Sequence, residues 1–260
     1  ASEGSSAVVV HKTGNAAAAT GGVGSNINII TTKPLEAGKI ATFGAKMAMD
    51  TSTETGDDVT PEFSGLYSNT FADDTVGIAI SASSQRRNNA VNVGSIGGWH
   101  TTAGDTDGGW TSVPFNDDQV NRPTDAAGNM SIPQSNAYRL SEYESERVNG
   151  QLTLQWAPSD AITATVDYTY SELDLDHTYS DLSAWYNLGN NTQSSTWDDG
   201  LIASPLMYSE ASPNSDFAMG IGHDGSKTEN DSFGLNLAWQ VSDDLSLAFD
   251  YHDSGSKVGA

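Results

Sequence analysis

Carboxylates are the most abundant groups in this 260-residue chain that could do chemistry. Asp105, Asp107, Asp117, Asp118, Asp174, Asp176, Asp181, Asp198 and Asp199 fall in two long polar stretches. A glycosidase needs two such groups at a set separation. No nucleophile, base and orienting group are spaced to form a set, so no catalytic residue is assigned and no enzymatic activity is expected. Asp105-Thr106-Asp107-Gly108 opens like a calcium loop, but the twelfth position is Asn116 where a bidentate acid belongs. A turn is the expectation there. The five histidines (His11, His100, His177, His223 and His252) lack paired ligand spacing. Cysteine is absent, which excludes thiolate ligands and disulfides. No glycine run has the spacing of a phosphate cradle. No metal and no cofactor follow.

Aromatic side chains in the same polar stretches offer recognition chemistry instead. Trp99, Trp110 and Phe115 lie in the first, and Tyr179, Trp185, Tyr186, Trp197 and Tyr208 in the second. Such rings either contact a ligand or pack the stretches against each other. Trp99, Trp110, Trp185, Tyr186 and Trp197 are the ligand-binding candidates. Net charge is −23, with 34 acidic and 11 basic residues, which disfavours any nucleic-acid partner.

The elements that must position these residues are strands. Ile40–Asp50, Glu62–Phe71, Thr75–Arg87, Tyr143–Trp156, Ala161–Glu172, Glu229–Val241 and Leu245–Ser254 all alternate apolar with polar or small residues. Connections at 72–75, 157–160 and 242–244 are tight. Those at 51–61, 88–142 and 173–228 are longer and read as irregular. Short and long connections alternate, as periplasmic turns and extracellular loops do in outer-membrane barrels. Phe71, Trp156 and Trp239 each precede a short turn, where one aromatic girdle belongs. Phe63, Tyr168, Tyr170 and Tyr251 suit the other. No apolar run is long enough for a transmembrane helix, so a membrane role requires a barrel. A soluble β-sandwich would explain the alternation as well, but not long irregular connections.

Upstream, Val8 to His11 reads as a strand, Gly21-Gly22-Val23-Gly24 as a turn, and Asn26 to Thr31 as a second strand that Pro34 ends. The order Gly21, Gly22, Gly24, Asn28, Thr31, Pro34 resembles the end of the plug domain in TonB-dependent outer-membrane receptors. Ser25 stands where that family usually has glycine, and Val9 where it often has an acid. Lys12-Thr13-Gly14 and Val59 to Ser68 are also similar to one branch of the family. The resemblance covers residues 8–87; beyond them only the strand rhythm supports it.

It implies an all-β fold: a partial transmembrane antiparallel β-barrel of about seven strands, preceded by the end of a plug domain. The expected domains are 1–35, the C-terminal part of the plug, and 36–260, the N-terminal part of the barrel. The implied function is energised uptake of a small nutrient ligand across the outer membrane of a Gram-negative bacterium. The implied partners are the TonB complex, outer-membrane lipid and lipopolysaccharide. Oligosaccharide, iron-siderophore and cobalamin are all open as ligand. The polar stretches hold fourteen acids against Arg122, Arg139 and Lys227, which favours an uncharged nutrient over an anionic ferric complex. The alternatives are a passive porin and a secreted β-rich carbohydrate-binding or hydrolytic domain.

Overall fold

The computed structural model describes residues 5–12, 24–107, 112–213 and 217–259. In chain order the elements are β1 (Ser5–His11), β2 (Asn26–Thr31), α1 (Pro34–Ala37), β3 (Ile40–Met49), β4 (Val59–Phe71) and β5 (Val76–Gly97). Then follow β6 (His100–Ala103), β7 (Gln119–Val120), β8 (Asn129–Ile132), β9 (Ser135–Ser159) and β10 (Ile162–Trp185). A 3-10 turn (Gly189–Asn191) leads into β11 (Thr192–Trp197), β12 (Ile202–Ala203), β13 (Pro205–Glu210), β14 (Phe217–Ser242) and β15 (Leu245–Gly259). The fold is all-β, and no helix of the described residues is long and apolar enough to cross a membrane.

The chain forms two compact units. The first comprises residues 1–89, 143–177 and 224–260. In it β1 and β2 pair antiparallel, from Ala7 opposite Ile30 to His11 opposite Asn26. A seven-stranded sheet has the order β15-β14-β10-β9-β5-β4-β3, an up-and-down meander among its long strands. Ile40 pairs with Ser68, Phe71 with Val76, and Leu237 with Phe249. Alternating runs joined by the tight connections at 72–75, 157–160 and 242–244 are therefore neighbours in the sheet. At the β4–β5 turn Ala72, Asp73 and Asp74 all take positive φ, and the Thr75 N–H donates to the Ala72 carbonyl at 3.2 Å. Aspartate tolerates that geometry better than most side chains.

Burial in this sheet runs opposite to that of a water-soluble β-protein. Thr60, Ser68, Ala79, Ser81, Thr153 and Gln155 are buried. Phe63, Tyr67, Phe71, Ile80, Leu154, Trp156, Phe233, Leu237, Trp239 and Phe249 are exposed. The polar face is the one that the chain covers. A Cβ at Gly77 would lie 2.9 Å from Pro34 Cβ and 3.1 Å from Leu35 Cδ2. The Leu35 N–H donates to Gln155 Oε1 at 3.0 Å. So α1, directly after β2, lies on the small and polar side chains of β5 and β9.

The apolar rows have matched lengths. By alternation they are Val76 to Ser84, Val148 to Trp156, Ile162 to Tyr170 and Phe233 to Val241. Each spans about 26 Å at a rise of ~3.3 Å per residue. Each ends in charge on the same face. Arg86 meets Glu144 in a close ion pair and Glu146 at 3.7 Å. Lys227 Nζ lies 2.7 Å from Glu172 and 3.9 Å from Glu229. The opposite face carries its own ladder, Lys46 to Glu62 at 3.0 Å and Arg87 to Glu62 at 2.5 Å.

The second unit comprises residues 90–142 and 178–223. It corrects the expectation of long irregular connections. β5 continues to Gly97, β9 begins at Ser135, β10 runs to Trp185 and β14 begins at Phe217. The remaining residues hold short strands. β8 pairs antiparallel with β6 and parallel with β12. β11 pairs antiparallel with β13 and parallel with β7. Val113, Met130, Ile132, Leu188, Trp197 and Ala203 form a fully buried apolar cluster.

Candidate functional site: an aromatic cavity in the second unit

The cavity is built from the end of β5 upward. Gly98 turns the chain after β5 with φ +68, a region that other residues rarely adopt. A Cβ there would also meet Gln134 Cβ at 2.9 Å. The turn is closed by the Gln134 N–H donating to the Gly97 carbonyl at 3.0 Å. His100 Nε2 lies 2.9 Å from Gln134 Oε1. These contacts hold Trp99 at the start of β6, beside the Ile132–Pro133 end of β8.

Tyr186 enters from the other side. Its N–H donates to the Gln134 carbonyl at 2.7 Å. The next residues are pinned by one carboxylate: Glu210 accepts from the Asn187 N–H at 2.9 Å, the Leu188 N–H at 3.0 Å and the Tyr208 hydroxyl at 2.9 Å. Leu188 takes φ +55 with its side chain fully buried. A branched residue there costs about 1–3 kcal/mol of backbone strain. The charge-assisted bonds to Glu210 offset it. Tyr186 and Tyr208 meet edge to face at 5.5 Å. Burial pushes the Tyr208 phenol well above its usual range, and Glu210 adds to the effect while Thr192 opposes it.

The result is a cavity of about 220 Å³ lined by Ile96, Trp99, Ile132, Asn136, Tyr186 and Tyr208 together with Pro133 and the Pro205–Met207 segment. No ionised side chain lines it. Asn136 Nδ2 donates to the Tyr186 hydroxyl in a short hydrogen bond. Asn136 Oδ1 is buried with no hydrogen-bond partner.

Of the sequence candidates, Trp99 and Tyr186 come together here. Trp185 ends β10 with its side chain exposed and does not line the cavity. Trp197 is a correction. It is 0 % exposed in the apolar cluster, and its Nε1–H donates to Ser195 Oγ at 2.9 Å. It packs the unit and presents no surface to a ligand. Trp110, Gly21 and Gly22 lie outside the described residues. Gly24 precedes β2, Asn28 sits opposite Val9 in the hairpin, Thr31 ends β2, and Pro34 begins α1. Tyr208 of β13 stands among the aromatics that the sequence singles out, whereas Asn136 and Pro205–Met207 carry no signal: one amide among many is not distinctive, and the polar stretch hides β13.

Several acids of this unit serve as backbone acceptors. Asp107 accepts from the Phe115 N–H at 3.1 Å, Asp125 from the Gly128 N–H at 2.6 Å, and Asp198 from the Gly200 and Ser204 N–H groups at 3.1 and 3.0 Å. The chain turns at Gly104–Asp105, where the Thr106 N–H donates to the Ala103 carbonyl at 3.1 Å, and the described residues contain no cluster of acids and histidines arranged to hold a metal ion. The basic groups are engaged as well. Arg122 is buried, donates to the carbonyls of Val113, Gly104, Pro123 and Thr106, and stacks on Phe115 at 3.9 Å. Burial lowers its pKa, and Asp107 acts against that. Arg139 pairs with Asp181 at 2.7 Å and covers Tyr179. No protein-family model, no curated protein and no solved structure matches the chain.

Proposed function

We propose that the chain belongs to a TonB-dependent outer-membrane receptor that takes up a small nutrient. The observation that carries the reading is the reversed burial of the seven-stranded sheet. Its apolar rows, exposed or half-exposed, run for about 26 Å, close to the ~25 Å apolar band of outer-membrane barrels. In water such rows would form contiguous exposed apolar patches, which on soluble proteins mark interaction surfaces. In lipid they are the required outer face. The polar face then becomes the interior, and α1 occupies it immediately after the plug-like hairpin β1–β2. A plug that blocks a lumen makes the same contact.

In this reading, residues 1–35 end the plug and residues 36–260 begin the barrel. TonB supplies the energy, and the aromatic cavity contributes to ligand recognition outside the cell. The mechanism needs no covalent chemistry. Binding biases the plug, force from TonB displaces it, and the polar interior becomes a path. A passive porin also accounts for the apolar rows, but gives α1 on the polar face no role.

The test compares the intact gene product with one lacking residues 1–39, in planar bilayers and in cells. Receptor function predicts low conductance when intact, a large pore after the deletion, and uptake that stops when the proton-motive force is collapsed. Equal conductance of the two proteins, with uptake insensitive to the proton-motive force, would leave a porin instead.

A further inference from the structure

We infer that the cavity of the second unit binds a small quaternary ammonium cation, a trimethylammonium group, against the aromatic wall of Trp99, Tyr186 and Tyr208. The inference names a ligand class for the cavity and rests on the uptake reading for its biological setting. Its physical basis lies in the second unit alone.

Three observations select the ligand. The first is the make-up of the wall. Three aromatic rings line the cavity, with Ile132, Leu206 and Met207 as apolar surface between them. An aromatic face is negative and attracts a cation within about 6 Å of its centroid, most strongly when the ring is tryptophan. Trp99 is 50 % exposed, so the chain covers only part of its indole. The volume of about 220 Å³ is below the ~300–1,000 Å³ of pockets for drug-sized ligands. A compact group fills it and stands close to all three rings. The Tyr208 hydroxyl donates to Glu210 at 2.9 Å, and donation to a carboxylate leaves the phenol ring richer in electrons. Glu210 does not itself line the cavity. Its charge acts through the ring, not by contact.

The second observation is where the unit keeps its own cations. Its Lys and Arg residues are Arg122 and Arg139. Arg122 lies 3.9 Å from the centre of the Phe115 ring and Arg139 4.3 Å from that of Tyr179. Both are thus taken at rings outside the cavity. The rings of the cavity receive no cation from the described residues of this unit.

The third observation is charge. Eleven acids against two arginines leave the second unit a formal charge of −9. Such a field gathers cations and repels anions. The wall then decides which cation. A primary ammonium brings three N–H donors that need acceptors, and a hard metal ion needs several oxygen ligands, yet no ionised side chain lines the cavity. A quaternary ammonium has no N–H to satisfy. Its methyl groups suit the apolar surface, and its charge is met by the rings and the field. An uncharged group of the same shape fits the wall but gains nothing from either.

That comparison is the experiment. The purified intact gene product is kept in octyl glucoside, which carries no ammonium group. Calorimetry and tryptophan fluorescence follow its titration with choline, tetramethylammonium, ethanolamine and 3,3-dimethyl-1-butanol, the uncharged carbon isostere of choline. Choline and tetramethylammonium are expected to saturate, with choline at least about tenfold tighter than the isostere. Trp99→Leu keeps apolar volume and removes the ring, so it should weaken choline about tenfold and leave the isostere unchanged. Trp99→Phe should fall between, because its face is less negative, and Trp185→Phe should change nothing. Raising the salt should weaken choline and not the isostere. The inference is overturned if no quaternary cation saturates, if the isostere matches choline, if ethanolamine binds more tightly, or if Trp99→Leu lowers both probes equally. Choline binding with this pattern but without energy-dependent uptake would retain the site and reject the receptor. Energised uptake of a ligand indifferent to Trp99→Leu, with no quaternary cation bound, would do the reverse.

Discussion

Placing an arginine at Leu237 tests the physical basis of the receptor reading directly. Leu237 is the middle residue of the row Phe233 to Val241, and its side chain is 39 % exposed. Four residues separate it from either end, about 13 Å along the strand at ~3.3 Å per residue. If the row faces lipid, an arginine there sits near the midplane and costs about 2–4 kcal/mol. That is roughly a 30- to 800-fold shift in the folding equilibrium, at ~1.4 kcal/mol per tenfold. Phe233→Arg, at the charged end of the row beside Asp231, should cost only about 0–1 kcal/mol. If water covers the face, both changes fall within about 0.5 kcal/mol, as surface substitutions do. The assay is a urea titration of the gene product in lipid vesicles, with outer-membrane abundance measured in cells. The discriminating quantity is the difference between the two positions. A flat profile would refute the argument from reversed burial, whatever the absolute stabilities.

Other outcomes follow from single contacts. Gly77→Val should push α1 off the polar face, because its Cβ alone would lie 2.9 Å from Pro34 Cβ; overpacking of this kind costs about 1–3 kcal/mol, read as faster tryptic cleavage after Lys39. Arg122→Met strips the donor from four carbonyls in the second unit, and at about 1–3 kcal/mol per buried group left unpaired residues 104–107 and 112–123 should lose hydrogen-exchange protection. The Tyr208 phenol has a raised pKa, so its contribution is complete below the free value of ~10 and lost as pH rises towards the folded value. The second unit should therefore loosen in strong alkali, and Tyr208→Phe should remove that transition in near-ultraviolet circular dichroism.

The strands of the first unit were legible because each alternates apolar and polar residues over its central stretch, and alternation fixes both the element and its faces. Their lengths were not. Beyond Val148 the outward positions of β9 become Glu146 and Glu144, and beyond Tyr170 the outward position of β10 becomes Glu172. The contrast between faces vanishes there, although the backbone ladder continues to Ser135 and Trp185. A periodicity argument sees the end of the apolar row and reports the end of the strand. The loop aromatics failed for a different reason. Trp99 and Trp197 sit in similar polar surroundings in the sequence, and only the partners separate them. Trp197 packs with Met130 and Ile132, which come from the other polar stretch of the chain. Trp99 is set by a turn at Gly98 whose closing partner is Gln134. No local signal carries pairings at that separation.

The two units satisfy their apolar groups by opposite means, and this bears on how the protein divides its tasks. The second unit has a core of its own, with Trp197, Met130 and Ile132 fully buried, Arg122 satisfied by carbonyls, and Glu210 closing a strained turn. That core forms within the chain itself. The first unit has no apolar cluster among its buried described residues; what it buries includes Thr32, Pro34, Thr60, Ser68, Asn88, Thr153 and Gln155. Backbone ladders order this sheet, but burial of its Phe, Leu and Trp rows would have to come from outside the chain, and on the receptor reading a bilayer would provide it over the right length. Stability in water and stability in lipid should then respond to different residues. A substitution in the cavity can change ligand preference without disturbing insertion, and one in an apolar row can abolish insertion without touching the cavity. In a receptor, that separation lets recognition diverge while the membrane-spanning scaffold stays the same.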